Sequence, residues 1–174
     1  MSPSRNGPHC QRIAGPKEIS RDDACLDFSE DTLLTASRYY FQSFACPESQ
    51  GWLRALSVTQ IYFGDQVGPS IAVKLLTAMQ AMRCTRRSMF QFNAPDCVRC
   101  SEILTEHERR FMAALQAIRF NDLNTAGLEI MLLCEGFESE HVVDTFKDLS
   151  NVLPQRARQS VGACDVAGLA GALS

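Results

Sequence analysis

Two cysteines separated by two residues are the part of this sequence whose residue types and spacing best support chemistry. Cys97 and Cys100 lie in the segment Pro95-Asp-Cys-Val-Arg-Cys100, which is followed by a helix-start signal at Thr105. Two thiolates on a short turn can share one metal ion. The same spacing occurs in redox disulfides, and two close cysteines can also be unrelated buried side chains. A metal site, a redox pair and a plain loop are therefore three interpretations of this motif.

A metal site requires more ligands than this motif supplies. Structural zinc takes four ligands in a tetrahedron, and an iron–sulfur cluster also takes thiolates. If the motif is a metal site, zinc is expected ahead of an iron–sulfur cluster. Its predicted ligands are Cys97, Cys100, Cys84 and either His107 or Cys134.

The alternatives to a metal site depend on the residues around each cysteine. A thioredoxin-type pair lies at a helix N-terminus within a βαβ unit, where the helix dipole lowers the pKa of the attacking thiol. No βαβ pattern surrounds Cys97 and Cys100, and the predicted N-cap at Thr105 lies beyond both of them. Cys134 follows Leu132 and Leu133, so it is expected to be a small apolar core residue rather than a ligand.

The composition predicts one soluble domain that remains in a reducing cytoplasm. The chain has 174 residues, of which 45% are hydrophobic and 21% are charged, and this is enough apolar material for a core. No apolar run approaches the roughly 18 residues that a membrane span needs, and the first residues lack the apolar region of a secretory signal. The eight cysteines are therefore expected to be thiols or ligands rather than a disulfide framework. A net charge of −3 disfavours a dedicated nucleic-acid binder.

The periodicity of apolar residues predicts an all-α, bundle-like domain of about six helices over residues 29–154. Residues 1–28 are predicted to be a flexible extension and residues 155–174 a weakly structured tail. Ser88–Phe92 alternates like a strand, but it is too short and solitary to define a sheet. The apolar stripes of the six helices are Leu33, Ala36, Tyr40 and Phe44; Trp52, Leu53, Leu56 and Ile61; Val73, Leu76, Met79 and Met82; Phe111, Leu115 and Ile118; Leu128, Met131, Leu132 and Cys134; and Val142, Val143, Phe146, Leu149 and Leu153.

Residues with known helix-boundary preferences give the expected ends of these helices. The segment from Thr105 to Glu108 has the pattern of a capping box, in which each side chain accepts a hydrogen bond from the backbone N–H of the other residue. Ser29 and Asp122 are predicted N-caps, since short polar side chains accept from the orphan N–H groups of a first turn. The other expected boundaries are Pro47, Pro69 and Ser139 as starts, and Gly64, Gly136 and Pro154 as ends.

Arg83, Arg86 and Arg87 form the basic cluster of the sequence, and Phe90 and Phe92 follow them. Such a cluster can bind a phosphate, a nucleic-acid backbone or an acidic protein surface. Basic residues after a helix C-terminus are also favoured by the helix dipole alone. The three arginines are therefore a candidate polyanion site, with a solvated helix end as the alternative.

Catalytic patterns are sparse. Glu106, His107 and Glu108 are adjacent, but they do not form the H-E-x-x-H motif, and the sequence contains no P-loop and no G-x-G-x-x-G or G-x-S-x-G motif. A capping-box glutamate beside a solvated histidine explains these residues more simply. An enzyme of a familiar class is therefore not expected, and one built around His107 and Glu108 is the third choice.

One stretch resembles a group of small, uncharacterised helical proteins of alphaproteobacteria. It covers residues 95–136, with Pro-x-Cys-x-x-Cys at Pro95, Leu-Thr-x-x-Glu at Leu104, an Ala/Leu helix and a Cys-Glu-Gly ending at Gly136. This resemblance implies a bacterial, cytoplasmic protein and implies no activity. The sequence therefore predicts a non-enzymatic interaction or regulatory protein that binds a protein partner or itself. The alternative is a DNA-associated transcriptional regulator that uses Arg83–Arg87.

Overall fold

The computed structural model describes residues 13–155 of the chain. These residues are 66% helical and form seven α-helices with almost no strand, so the predicted all-α fold class is confirmed. Residues 1–12 of the predicted extension and nearly all of the predicted tail lie outside the described residues. Within residues 13–155, no helix is both long enough and apolar enough to cross a membrane.

The first helix, α1 (Phe28–Ala45), begins at a capping box that differs from the predicted start. The side chain of Asp27 accepts from the backbone N–H of Glu30, and the side chain of Glu30 accepts from the N–H of Asp27. Ser29 was the predicted N-cap, and that prediction is wrong because Asp27 with Glu30 completes the reciprocal pair. Arg119 binds both carboxylates at 2.7 Å, which joins the start of α1 to a later helix.

The second helix, α2 (Gly51–Phe63), packs against α1 through small residues. Gly51, Ala55 and Thr59 are buried, and a Cβ at Gly51 would lie 2.3 Å from the carbonyl oxygen of Tyr39 in α1. This close approach leaves no room for large side chains between the two helices. The prediction that the large apolar residues of α2 form its inward stripe is therefore wrong: Leu56 is half-buried, and the exposed ones are Trp52, Leu53 and Ile61.

The segment before α2 is also different from the prediction. Pro47 begins a separate 3-10 helix, Pro47–Ser49, rather than α2 itself. Gln50 follows in the left-handed conformation, with φ of 50°, and this turn separates the two helices. Gly64 ends α2 with φ of 80°, which confirms its predicted role as a C-cap.

The third helix, α3 (Gly68–Thr85), forms the centre of the core. Pro69 lies in its first turn, as predicted. Ile71, Leu75 and Met79 are buried at intervals of four residues, whereas Val73 is exposed because it lies on the other side of the helix. The predicted inward position of Val73 is therefore wrong, and those of Met79 and Met82 are confirmed.

Two strands of two residues each and one short helix lie around the segment that follows α3. The helix α4 (Val98–Ser101) is a single turn, and it is the helix that the sequence did not predict. Strand β1 (Ile19–Ser20) pairs antiparallel with β2 (Ile103–Leu104). The domain therefore includes contacts from residues 19 and 20 of the predicted extension. Ser88–Phe92 forms no strand in the structure.

The last three helices complete the bundle. They are α5 (Glu106–Arg119), α6 (Leu123–Leu133) and α7 (Glu140–Val152). Helix α5 packs on α6 and α7, and α7 packs on α3. Phe111 and Phe146 meet in the core with their ring centroids 4.8 Å apart. The predicted caps at Thr105 and Asp122 are confirmed, since each side chain accepts from the N–H three residues on.

Candidate functional site

Most of the predicted site residues lie on or next to the α3–α5 connector, which comprises residues 86–105. A buried ion pair fixes this connector to the core. Arg38 of α1 and Glu108 of α5 are each only 1% exposed, and they form a two-bonded pair with N–O distances of 2.7 and 3.0 Å. The same guanidinium donates to the carbonyl oxygens of Ser101 and Ile103 at 2.7 and 2.6 Å. Arg38 therefore holds the end of the connector as well as α5.

Glu108 also accepts hydrogen bonds from the connector backbone. Its two oxygens receive the N–H groups of Asn93 at 3.0 Å and Thr105 at 2.9 Å. The Asn93 amide donates to the carbonyl oxygen of Ile103 at 2.6 Å, and the Thr105 hydroxyl donates to that of Gln91 at 2.8 Å. A buried carboxylate needs such donors to offset its desolvation. The Arg38–Glu108 network is therefore the structural centre of the connector.

The cysteine pair lies on α4, at the middle of this connector. Cys97 is the N-cap of α4 and half-buried, and Cys100 is buried within the helix. The backbone N–H of Cys100 donates to the sulfur of Cys97 at 3.4 Å. The motif therefore forms a compact helical turn, which the sequence had placed on a loop.

The predicted ligand set for a metal ion does not assemble among the described residues. Within residues 13–155, no group of three or more His, Cys, Asp or Glu side chains is arranged to hold a metal ion. Cys84 is exposed at the end of α3, whereas Cys134 is buried. Structural zinc needs four ligands, so these residues do not fit that site.

The three arginines of the predicted polyanion site are placed in two different ways. Arg83 and Arg87 stack over the rings of Phe44 and Phe137, at 3.9 and 4.7 Å from their centroids. The side chain of Arg86 is only 3% exposed and pairs with Glu135 at 3.4 Å. Its Nη1 atom is buried and has no hydrogen-bond partner among the described residues, so a dissolved anion cannot reach it. A continuous surface of three arginines therefore does not form.

Glu135, which sequence reasoning had not selected, links the connector to the end of α6. It has φ of 59°, in the left-handed region that begins the turn after α6. Its carboxylate accepts from the Ser88 hydroxyl, from the backbone N–H of Arg87 at 2.8 Å and from that of Ser88 at 3.1 Å. The Ser88 hydroxyl and the Arg87 N–H lower the pKa of Glu135 to about 2, since they stabilise the charged form.

His107 contacts the same end of the connector. Its Nδ1 accepts from the backbone N–H of Gln91 at 2.9 Å, and its ring lies 5.3 Å from that of Phe90. Burial and the nearby Arg86 guanidinium both lower the pKa of His107, because each disfavours the imidazolium. A neutral ring is also what the Nδ1 contact requires, since a protonated Nδ1 cannot accept a hydrogen bond.

These two groups predict that acid weakens the fold in two steps. The pKa of His107 is lowered in the folded state from 6.5, so its stabilising effect is lost as the pH falls below that value. The lowered pKa of Glu135 stabilises the fold above 4.5, and this effect is lost as the pH falls toward about 2. Urea unfolding over a pH series should show both steps.

Single variants assign each step. His107→Gln should flatten the upper step and Glu135→Gln should flatten the lower one. A His107→Gln profile that coincides with the native profile would show that His107 is not the group responsible.

Helix α6 carries a second apolar surface that the sequence analysis had taken as core. Ala126, Ile130 and Leu133 form its buried side. The other side is the α6 apolar face, which comprises Leu128, Met131 and Leu132 of the helix and Phe137 of the turn that follows it; these residues are 37% to 52% exposed. The prediction that Leu128, Met131 and Leu132 form the core stripe of α6 is therefore wrong, because the side of α6 that faces the core is formed by Ala126, Ile130 and Leu133. The sequence signal for this second surface is that α6 has apolar residues on both of its sides.

The α6 apolar face carries no charged side chain. Glu129 is the one charged residue of α6, and it turns toward α5, where Arg110 binds it at 3.1 Å. Soluble monomers rarely expose apolar patches of more than a few hundred Å². At roughly 200 Å² for a fully exposed large apolar side chain, the four residues present on the order of 350 Å². This area lies in the range in which an exposed patch is often functional.

The chain matches no protein-family model, no curated protein and no solved structure. The resemblance of residues 95–136 to alphaproteobacterial helical proteins therefore stays a prediction.

Proposed function

We propose that this protein is a non-enzymatic interaction protein, and that the α6 apolar face binds an uncharged, apolar helix of a protein partner. The single observation that carries this proposal is the composition of α6, which is apolar on both sides while only one side packs on α5 and α7. A helix that is apolar all round is normally buried on all sides. A partner helix on the exposed side would bury these apolar residues.

The apolar area of the face sets the scale of the contact. Burial of on the order of 350 Å² at about 25 cal/mol per Å² contributes about 9 kcal/mol before the costs of association. Those costs are about 4–15 kcal/mol, so a complex requires matching apolar area on the partner as well. A partner with a matching apolar helix would bury similar area on its own side, as in other helix-in-groove complexes.

The positions of the acid–base candidates favour a binding role over catalysis. Glu108 is held in the buried pair with Arg38 and accepts two backbone N–H groups, so it has a structural role. His107 uses Nδ1 to bind the backbone of Gln91. A general base must be within reach of a substrate proton, and both groups are already engaged in holding the connector.

Site-specific photo-crosslinking tests the proposal. A photoreactive phenylalanine at position 132 of the full chain, irradiated in the cells that naturally make the protein, should give one discrete adduct. The same probe at Val73 is the matched control, since Val73 is an exposed apolar residue of α3. It should give no such adduct. Adding Leu128→Glu to the position-132 probe should reduce the yield about tenfold or more, because a charge would then be desolvated in the contact.

The identity of the adduct decides the outcome. A protein adduct at position 132 that is absent at position 73 supports the proposal. Equal labelling at both positions, or labelling that is unaffected by Leu128→Glu, would refute it, because the α6 apolar face would then be an ordinary part of the surface.

A further inference from the structure

We infer that Cys97 and Cys100 form a redox-active dithiol, which exchanges with the disulfide of a small molecule and closes into a disulfide of its own. Cys134 packs in the hydrophobic core, whereas Cys97 and Cys100 lie outside it, so core packing does not account for the pair. The site lies on the α3–α5 connector, and the inference is independent of the partner that binds the α6 apolar face.

The turn of α4 brings the two cysteines together. Cys97 is the N-cap of α4, and the backbone N–H of Cys100 donates to its sulfur at 3.4 Å. The sulfur of Cys97 is therefore within about 5 Å of the Cα of Cys100, since an N–Cα bond adds about 1.5 Å. The two residues between them are helical, and helix geometry places Cα atoms three residues apart at about 5 Å. Disulfides join Cα atoms about 4.4–6.8 Å apart, so the backbone spacing already suits an S–S bond.

The two sulfurs differ in their access to solvent. Cys97 is half-buried, whereas Cys100 is only 8% exposed. In thiol–disulfide exchange, one thiolate attacks the incoming disulfide and a second thiol then displaces the bound half of it. The attacking sulfur must be accessible, and the second sulfur needs only to reach the first. Cys97 is therefore the attacking residue and Cys100 the resolving one, and the N–H group that donates to Cys97 favours negative charge on its sulfur.

The turn that carries the pair is held from both ends by α1 and α2. Before the turn, Asp96 accepts from the side-chain amide of Gln42 at 3.0 Å and pairs with Arg54, which offsets its charge. After the turn, the carbonyl oxygen of Ser101 accepts from Arg38 at 2.7 Å. Two thiols that are held in one place have a high effective concentration for each other. The folded chain should therefore favour their disulfide more than an unfolded chain does.

The exchange consumes one small disulfide and yields two small thiols. The thiolate of Cys97 attacks one sulfur of oxidised glutathione, so that a mixed disulfide forms and one glutathione thiolate leaves. The thiol of Cys100 then loses its proton to water and attacks the sulfur of Cys97, which releases the second glutathione thiolate. The two protein thiols lose two electrons, and oxidised glutathione gains them. An excess of reduced glutathione drives the same steps backward.

Peptide mapping of the full-length chain tests the inference, because trypsin cleaves after Arg99, between the two cysteines. The tryptic peptides 88–99 and 100–109 each contain one cysteine, and a Cys97–Cys100 disulfide joins them. The chain is equilibrated in buffers with a rising ratio of oxidised to reduced glutathione, its remaining thiols are alkylated, and the joined peptides are measured by mass spectrometry. They should appear in one reversible two-electron step. The folded chain should favour the disulfide about tenfold or more over the same chain in urea, which corresponds to about 30 mV.

Single variants assign the two roles. In Cys100→Ser, Cys97 should retain glutathione as a stable mixed disulfide, since no second thiol displaces it. In Cys97→Ser, the buried Cys100 should react with oxidised glutathione about tenfold or more slowly than Cys97 does in Cys100→Ser, because its sulfur is less accessible. Cys84 is the control within the same chain, since it is an exposed thiol at the end of α3 and should form only the mixed disulfide.

The joined peptides decide the outcome. Their absence at every glutathione ratio overturns the inference, and so does a disulfide that is no more favoured in the folded chain than in urea. Equal rates of reaction of Cys97 and Cys100 with oxidised glutathione would overturn the assignment of attacking and resolving residues. Each of these results leaves the proposed function standing, since that proposal depends on the crosslink at position 132.

Discussion

Replacement of Glu108 by glutamine is expected to destabilise the protein by about 3–5 kcal/mol, since one partner of a buried ion pair is then uncompensated. Both oxygens of this carboxylate accept from Arg38, and each accepts one backbone N–H as well. In the variant, the NH₂ group of the glutamine would face N–H donors and could not accept their hydrogen bonds. The Arg38 guanidinium would then lack its carboxylate partner in a site that is 1% exposed. Urea unfolding measures the change.

The control for Glu108→Gln is the same kind of substitution in an exposed pair. Asp148 pairs with Lys74 at 2.9 Å on the surface, and Asp148→Asn should cost no more than about 1 kcal/mol. Proteolysis should distinguish the variants too, because loss of the Arg38–Glu108 network releases the connector. If Glu108→Gln were no more destabilising than Asp148→Asn, the network would not be the centre of the connector.

Replacement of Gly51 by alanine is expected to cost about 1–3 kcal/mol or more, because the helix pair α1–α2 has no space for a methyl group. The added Cβ would lie 2.3 Å from the backbone oxygen of Tyr39, and a backbone atom cannot move aside as a flexible side chain can. The two helices would have to separate, which would also loosen the contacts of Ala55 and Thr59. Thermal and urea unfolding should both record the loss.

Gly127 provides a control of opposite sign. It lies inside α6, and nothing in the structure is within 4 Å of a Cβ built on it. Gly127→Ala should therefore raise the free energy of unfolding by about 0.5–1 kcal/mol, since alanine favours the helix and reduces the freedom of the unfolded chain. Equal effects of the two substitutions would contradict the close packing of α1 on α2.

These two predictions concern the parts of the fold that support the proposed surface. The Arg38–Glu108 network holds the start of α5, and the buried side of α6 packs against α5 and α7. Arg119 at the end of α5 binds the capping box of α1. The α6 apolar face is therefore presented on a rigid support, which keeps the ordering cost of binding low.

The sequence determined those features that depend on hydrogen bonds between near neighbours. The capping box of Thr105 with Glu108 and the cap at Asp122 were predicted correctly, because each is complete within three residues. Gly64, Pro69 and Pro154 mark helix ends for similarly local reasons of backbone conformation. The all-α class followed from the same local preferences together with the helical period of apolar residues.

The tertiary structure decided which side of each helix is covered. In α2, the small residues face α1 and the large ones face outward, because the closeness of Gly51 to Tyr39 depends on two helices meeting. The side chain of Arg86 is buried where it pairs with Glu135, which lies 49 positions later in the chain. Helix α6 has apolar residues on two sides, and only the position of α5 determines which side is buried. Hydrophobic burial has no direction of its own, so an apolar pattern predicts that a side can be covered while the neighbouring elements determine whether it is.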